Sequence, residues 1–142
     1  MGLVNHIHHI FNLKKEKGWK YIYIAVDVHG TILKPSHNKN ENLYEFYPFA
    51  LETLQKLSQM EDICLIMNTS SFEEKQLEYQ KFFKDLGVNF KYINSNPEIK
   101  NNDFACFDKK FFLDIGIDDK YGFDANKDWK AIIDYFDFVN DE

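Results

Sequence analysis

The run YIYIAVD at Tyr21–Asp27 constrains the fold of this chain more than any other segment. Its residues are aromatic or β-branched for the most part, and they are continuously apolar up to the final aspartate. A strand with this composition is buried on both faces, as the strands of parallel sheets are. The apolar part, Tyr21–Val26, is too short to span a membrane or to form the core of a signal peptide.

Three further segments have the composition of strands. The segment DICLIMN is apolar without alternation, VNFKYIN alternates in part and is expected to be more exposed, and KFFLDIGID is again largely apolar. These predicted strands span Asp62–Asn68, Val88–Asn94 and Lys110–Asp118.

Segments with apolar residues at helical spacing lie before, between and after the strands. The first helix is predicted over Leu3–Lys15, closed by Gly18, and the second runs from Pro48 through Leu57. The third begins with a capping box at Ser71 and Glu74 and ends at Gly87. The fourth begins at about Asp128, with Trp129 and Phe136 pointing inward.

Strands that alternate with helices are typical of parallel βαβ units. The sequence therefore predicts an α/β fold, a three-layer sandwich with a mostly parallel Rossmann-like sheet. A length of 142 residues fits a single domain over 1–142, because one core of this size buries roughly two-thirds of the unfolded surface.

Composition narrows the functional classes. The chain has 17 Lys, no Arg and 23 acidic residues, which gives a net charge of −6. This balance argues against a basic surface that coats nucleic acid. Cys64 and Cys106 have neither metal-ligand spacing nor a disulfide framework, so we interpret them as reduced thiols of a cytoplasmic protein, with Cys64 in the core. The histidines His6, His8 and His9 do not share one helical face and are expected to be exposed rather than metal-bound.

The first predicted strand ends in DVHGTIL. Because Asp27 and His29 are two residues apart on an extended chain, both side chains point to the same side. Gly30 allows a sharp turn that Thr31 can hydrogen-bond. A carboxylate beside a titratable group suits covalent catalysis with a proton shuttle. An aspartate that merely ends a strand through an Asx-turn explains the segment equally well.

The second predicted strand ends in LIMNTSS. Thr69 and Ser70 place hydroxyl groups where a strand meets a helix amino terminus, which is a favourable place for an anion. A plain helix N-cap is the alternative, and Ser71 alone satisfies it. We therefore interpret Ser71 as an N-cap and Thr69 as functional.

The fourth predicted strand ends in the adjacent acids Asp118 and Asp119. Together with Asp27, these carboxylates would form a hard oxygen site of the kind that Mg²⁺ prefers. A lysine shortly before the strand supplies a point charge for phosphate. Taken alone, the segment DDKYGFD is better explained as a solvated turn, and a polar turn before Pro97 explains Asn94–Asn96 as well.

Taken together, the order of these segments resembles the haloacid dehalogenase-like superfamily of aspartate-nucleophile phosphohydrolases. That family has DxDGTxx, a hydrophobic strand ending in Thr or Ser, a Lys, and a strand ending in GD or DD. The matching segments here are DVHGTIL, LIMNTSS, Lys110 and IGIDD. The spacing from Lys110 to Asp118 and Asp119 is similar to that of small capless members, although Phe111 stands where those have Pro.

The resemblance implies a role for each matching position in phosphoryl transfer. Asp27 would be the nucleophile that forms an aspartyl-phosphate intermediate. Thr69 would bind the transferring phosphoryl group through its hydroxyl, and Lys110 would neutralise the charge of nucleophile and phosphate.

The resemblance also implies a Mg²⁺ site. Asp119 would hold the ion together with Asp27 and the backbone carbonyl of His29, and Asp118 would help to place the ion or its water. Because the ligand at position 29 is a carbonyl oxygen, a change of side chain there does not remove a metal ligand.

His29 is the departure that matters, because it stands where the family has its general acid/base Asp. A histidine can perform both proton transfers, since its reference pKa of about 6.5 lies near neutrality. One interpretation is therefore a phosphatase with His29 as the proton shuttle. The other is a catalytically weak or inactive relative that binds phosphate or Mg²⁺ or serves as an interaction module.

The spacing of the motifs leaves no room for a cap domain between Asp27 and Thr69 or between Thr69 and Lys110. Capless relatives often accept large substrates, so a nucleic-acid end or a phosphoprotein stays open as a substrate. The net charge of −6 and the absence of Arg favour a small phosphate ester instead. The segment FACFDKKFF is interpreted as core and strand, and Lys34–Asn42 as a solvated loop.

Overall fold

A sheet of four parallel strands forms the centre of the computed structural model, which describes residues 2–35, 44–101 and 110–140. The strands lie in the order β3-β2-β1-β4, and every pair of neighbours is parallel. Their bounds are β1 Ile22–Asp27, β2 Ile63–Asn68, β3 Phe90–Ile93 and β4 Ile115–Ile117. The predicted α/β class with a Rossmann-like parallel sheet is thus confirmed.

Four α-helices flank the sheet in the described residues. They are α1 Gly2–Lys17, α2 Ala50–Gln59, α3 Glu73–Asp85 and α4 Asp128–Asn140. Gly18 and Gly87 follow α1 and α3 with φ of 70° and 83°, so both glycines end helices as predicted. None of the helices in the described part of the chain is both long and apolar enough to cross a membrane.

The side chains of β1 alternate between two apolar clusters, as expected for a strand buried on both faces. Ile22, Ile24 and Val26 join the larger cluster, to which the buried side chains of all four helices belong. Tyr23 and Ala25 point to what we call the second face, where they pack with Cys64 and Ile66 of β2. The buried position of Cys64 agrees with its predicted place in the core.

Loop and strand residues cover the second face in the part of the chain that the structure describes. The partly buried side chains that pack there are Tyr21, Tyr92, Ile99, Phe111 and Phe112. The two faces of the sheet therefore differ, with helices on one and aromatic side chains from loops on the other.

The fourth strand is much shorter than the predicted Lys110–Asp118, because pairing with β1 begins only at Ile115. Asp114 accounts for this: its backbone N–H donates to the Tyr23 carbonyl over 2.8 Å, and its carboxylate accepts from the Tyr23 N–H over 2.8 Å. The N–H and the carbonyl of Tyr23 therefore both form hydrogen bonds with Asp114. The chain before Asp114 lies over the second face and does not extend the strand.

The prediction that a capping box at Ser71 begins α3 is also wrong. The helix starts at Glu73, and Phe72 occupies the N-cap position without forming a side-chain capping hydrogen bond. The Ser71 N–H donates to the Thr69 hydroxyl over 3.2 Å, so Thr69 closes this turn and Ser71 does not act as the N-cap. On the same helix the apolar side chain of Leu77 is 59% exposed.

The remaining interpretations have mixed outcomes. The helix predicted from Pro48 begins at Ala50, after Phe49 in a left-handed conformation. The three histidines of α1 are exposed, as expected. The interpretations that fall on 36–43 and 102–109, which include Cys106 and most of FACFDKKFF, lie outside the described residues.

Trp129 anchors the turn that follows β1. This fully buried side chain donates from Nε1 to the Thr31 carbonyl over 2.7 Å. Thr31 is itself fully buried, and the N–H groups of Thr31, Ile32 and Leu33 all lie within hydrogen-bond distance of the Val28 carbonyl. Helix α4 therefore holds the turn in place through one side-chain hydrogen bond.

We expect Trp129→Phe to lower the free energy of unfolding by about 2 kcal/mol, because it leaves the buried Thr31 carbonyl without its donor and removes part of a packed ring. Urea denaturation of both proteins measures the change. The matched control is Trp19→Phe at the other tryptophan, which is only partly buried. An equal loss for the two variants would contradict the anchoring role of Trp129.

Candidate active site

Three carboxylates converge at the carboxyl edge of the sheet. Asp27 is the last residue of β1, and Asp118 and Asp119 directly follow β4, its parallel neighbour. One oxygen atom from each lies within 4.8 Å of one from each of the others. The structure therefore brings together the three residues that the sequence analysis assigned to a metal site.

Thr31 joins the two strand ends. Its hydroxyl lies within donating distance of Asp27 Oδ2, at 3.1 Å, and of Asp119 Oδ1, at 3.3 Å. The same hydroxyl oxygen accepts from the Asp119 N–H over 3.0 Å. The sequence suggested only a local turn for Thr31, whereas in the structure it also orients a carboxylate from the other strand.

Gly30 is required by both conformation and space. Its φ of 81° lies in the left-handed region, where other residues are strained. A Cβ atom at this position would lie 2.7 Å from Asp119 Oδ2, so a side chain here would displace the Asp119 carboxylate from its present position. The absence of a side chain at Gly30 thus leaves space for the Asp119 carboxylate.

Burial and the two neighbouring carboxylates raise the pKa of Asp27 to about 6. The main cause is burial, which disfavours the charged form, and the charge of Asp118 adds to it; the hydrogen bond from Thr31 opposes both. No lysine of the described residues forms an ion pair with any of the three carboxylates. The charge is therefore unbalanced, and an all-oxygen donor set of this kind suits Mg²⁺.

Thr69 lies at the neighbouring strand end, one residue beyond Asn68, which is the register partner of Asp27. Its side chain is 8% exposed. Asn94 holds its backbone from both sides: the Thr69 N–H donates to Asn94 Oδ1 over 2.8 Å, and Asn94 Nδ2 donates to the Thr69 carbonyl over 2.7 Å. The Thr69 position is thus fixed by β3 as well as by β2.

Asn94 is a residue whose role the sequence analysis missed, because a polar turn before Pro97 seemed sufficient. It takes up a left-handed conformation with φ of 52°, and its N–H donates to the Met67 carbonyl over 2.8 Å. Asparagine tolerates this conformation better than most residues do. An asparagine as the last residue of a predicted strand was the available signal.

Lys110 lies on the wall of a cleft that also includes Asn68 and Asp118. Its side chain is exposed, and within the described residues it has no hydrogen bond or ion pair. Lys110 therefore lines the same cleft as Asp118, and its charge is available to a ligand.

His29 pairs with a residue from α3 that the sequence analysis did not identify. Its Nε2 lies 2.9 Å from the Tyr79 hydroxyl, and the two rings pack edge to face at 5.4 Å. The pKa of His29 is lowered, first by burial and second by the charge of Lys75, so the ring is largely neutral at pH 7. No hydrogen bond joins His29 to Asp27 in the described part of the chain.

The fold and this geometry define an α/β protein with a parallel Rossmann-like sheet and a carboxylate cluster at its carboxyl edge. A solved structure described as a conserved protein coded by a locus from Bacteroides thetaiotaomicron is similar, with 28% sequence identity and a TM-score of 0.60. The similarity covers 86% of this chain and 93% of that one. No protein-family model and no curated protein matches the sequence.

The raised pKa of Asp27 predicts that the metal-free protein is destabilised by its own nucleophile candidate. Because the folded pKa lies above the ordinary value of 3.8, stability is lost as the pH rises from there through about 6. We expect Asp27→Asn to raise the free energy of unfolding in EDTA at pH 7.5 by about 1 kcal/mol, since the site is partly exposed and screened.

Thermal or urea unfolding across pH 4–8 measures this effect, and the difference should disappear at the acidic end. Asp134→Asn, at an exposed carboxylate on α4, serves as the matched control. An Asp27→Asn protein that is less stable than wild type at pH 7.5 in EDTA would overturn the electrostatic account.

Proposed function

We propose that this protein is a Mg²⁺-dependent phosphohydrolase that cleaves a small phosphate monoester through an aspartyl-phosphate intermediate. The observation that supports this most is the meeting of Asp27 with Asp118 and Asp119, with one oxygen of each within 4.8 Å of the others. These are the acids that the resemblance to haloacid dehalogenase-like enzymes marks as nucleophile and metal ligands.

The metal site in this proposal consists of Asp27, Asp119 and the backbone carbonyl of His29, with Asp118 holding the ion or its water. The fit rests on an unbalanced set of oxygen donors and on the space beside Gly30 that the Asp119 carboxylate fills. When bound, Mg²⁺ supplies positive charge that offsets the repulsion between carboxylates and phosphate.

In the first half of the reaction, a carboxylate oxygen of Asp27 attacks phosphorus, and the bond from phosphorus to the leaving oxygen breaks. The Thr69 hydroxyl and the Lys110 ammonium bind the transferring phosphoryl group. The rigid hold of Asn94 on the Thr69 backbone supports this role, because a preorganised donor need not be ordered during the reaction.

Two proton transfers complete the chemistry. The leaving oxygen takes a proton as it departs, and later a water molecule gives one up as it hydrolyses the aspartyl phosphate. His29 is the candidate for both transfers. The imidazolium form gives its proton to the leaving oxygen, and the neutral ring that results takes a proton from water. The lowered pKa of His29 favours the second transfer and disfavours the first.

The second candidate function is a Mg²⁺- or phosphate-binding module without turnover. The hydrogen bond of His29 to Tyr79 favours this alternative, because it engages the ring nitrogen Nε2 away from the carboxylates. The two candidates share the binding site and differ only in the proton transfers, so turnover distinguishes them.

A cytoplasmic location also belongs to this proposal. Burial raises the pKa of the Cys64 thiol to about 11, so this cysteine behaves as an inert core residue. That behaviour agrees with reduced thiols rather than with a disulfide framework.

We expect the purified protein to hydrolyse p-nitrophenyl phosphate in Mg²⁺, to lose this activity in EDTA, and to lose at least about 10³-fold in kcat with Asp27→Asn, because no nucleophile remains. Release of p-nitrophenol measures the rate, and Asp134→Asn is the control for the same change at a distant carboxylate. Activity no greater than that of Asp27→Asn across several phosphate esters would favour the binding module.

The role of His29 predicts a changed pH–rate profile. We expect His29→Asp to reshape the profile of kcat, and His29→Ala to lower kcat by about 10²–10⁴-fold while the affinity for inorganic phosphate stays the same. His8→Ala is the matched control, because His8 on α1 makes a comparable contact with the Tyr135 hydroxyl over 3.1 Å. An unchanged profile in His29→Asp would show that His29 is not the proton shuttle.

A further inference from the structure

A cleft of about 610 Å³ opens on the second face of the sheet, directly beside the carboxylate cluster. Among the described residues, Phe111, Phe112, Leu113 and Tyr121 form its walls, and Asp118 belongs both to the cleft and to the cluster. We call this space the aromatic cleft. Its volume lies in the range of sites for small organic molecules.

Small residues at two paired positions of the sheet make the cleft deep. Ala25 of β1 and Gly116 of β4 are register partners that lie on the floor of the cleft, and neither carries a large side chain. Asp114 ends the pairing with β1 below this point, so the preceding residues Phe111 and Phe112 lie over the second face as a wall.

The rim carries an aromatic ring with few contacts of its own. Tyr121 follows the carboxylates by two residues, and 83% of its surface is exposed. An exposed ring beside a polar site is available to pack against the flat face or edge of a bound ring. The wall residue Phe112 is in contrast held against Tyr23, with ring centroids 6.1 Å apart.

The aromatic cleft is also lined by polar and charged side chains, which suit a phosphate group. Asn68 and Asp118 lie at the carboxyl ends of β2 and β4 and line the cleft together with Lys110, so an amide and a positive charge share this cleft with a carboxylate of the proposed metal site. Lys110 is the one basic residue among the described residues that line the cleft. One cation suits a single phosphate better than it suits a polynucleotide, which needs several.

Because the aromatic cleft and the carboxylate cluster share Asp118, we infer that the cleft holds the leaving group of the substrate. This leaving group is an aromatic ring on a small phosphate monoester. The inference rests on the proposed function, since the phosphate must lie at the carboxylate cluster for its ring to reach Tyr121. It adds a substrate class and names Tyr121 as a specificity-determining residue.

The test measures binding rather than turnover, because aryl and alkyl esters differ in the reactivity of their leaving groups. Phenylphosphonate and methylphosphonate are not hydrolysed, and titration calorimetry in Mg²⁺ gives their affinities. We expect phenylphosphonate to bind about tenfold more tightly, and Tyr121→Ala to reduce this preference about fivefold without weakening methylphosphonate.

The control is Phe138→Ala, which removes an exposed aromatic ring near the carboxyl end of α4 and should leave both affinities unchanged. Equal affinities for the two phosphonates, or a preference that Tyr121→Ala does not alter, would overturn the inference and leave the phosphate site intact. If inorganic phosphate and both phosphonates fail to bind in Mg²⁺, the proposed function fails, and the inference fails with it.

Discussion

Repulsion among three carboxylates is the constraint on which the rest of this structure depends. The parallel pairing of β1 with β4 brings Asp27 next to Asp118 and Asp119, and burial together with these neighbouring charges raises the pKa of Asp27 to about 6. The fold tolerates the cluster because the Thr31 hydroxyl lies within donating distance of two of the carboxylates and accepts from the Asp119 N–H, and because Trp129 in turn holds Thr31. A buried core residue thus supports a charged arrangement that the described residues leave without a counter-charge.

The short fourth strand shows how one contact sets the shape of a whole face. Asp114 binds both backbone groups of Tyr23, so β4 pairs over Ile115–Ile117 alone. The aromatic residues before it are then free to cover the second face, beside small residues of β1 and β4. A longer strand would place these aromatic side chains in the sheet and would remove the wall of the aromatic cleft.

The sequence is sufficient for features that depend on local pattern. Continuous apolar runs predict β1 and β2 within one residue of their ends, and the parallel order brings the predicted acids together. It is not sufficient where a side chain acts on a distant backbone or ring. Asn94 acts on Thr69 across 25 positions, and Tyr79 acts on His29 across 50, so neither contact leaves a periodic signal.

The absence of arginine gives the site its particular character. Enzymes commonly hold phosphate with the two-pronged guanidinium group, which this chain does not contain. In the proposed function, orientation must then come from backbone geometry and from the Thr69 hydroxyl, because the Lys110 ammonium is a point charge with little directional preference. This explains why the Thr69 backbone exchanges two hydrogen bonds with the Asn94 side chain, while Lys110 is exposed and forms no ion pair in the described residues. The fixed Thr69 hydroxyl then supplies direction, and the exposed Lys110 ammonium supplies charge.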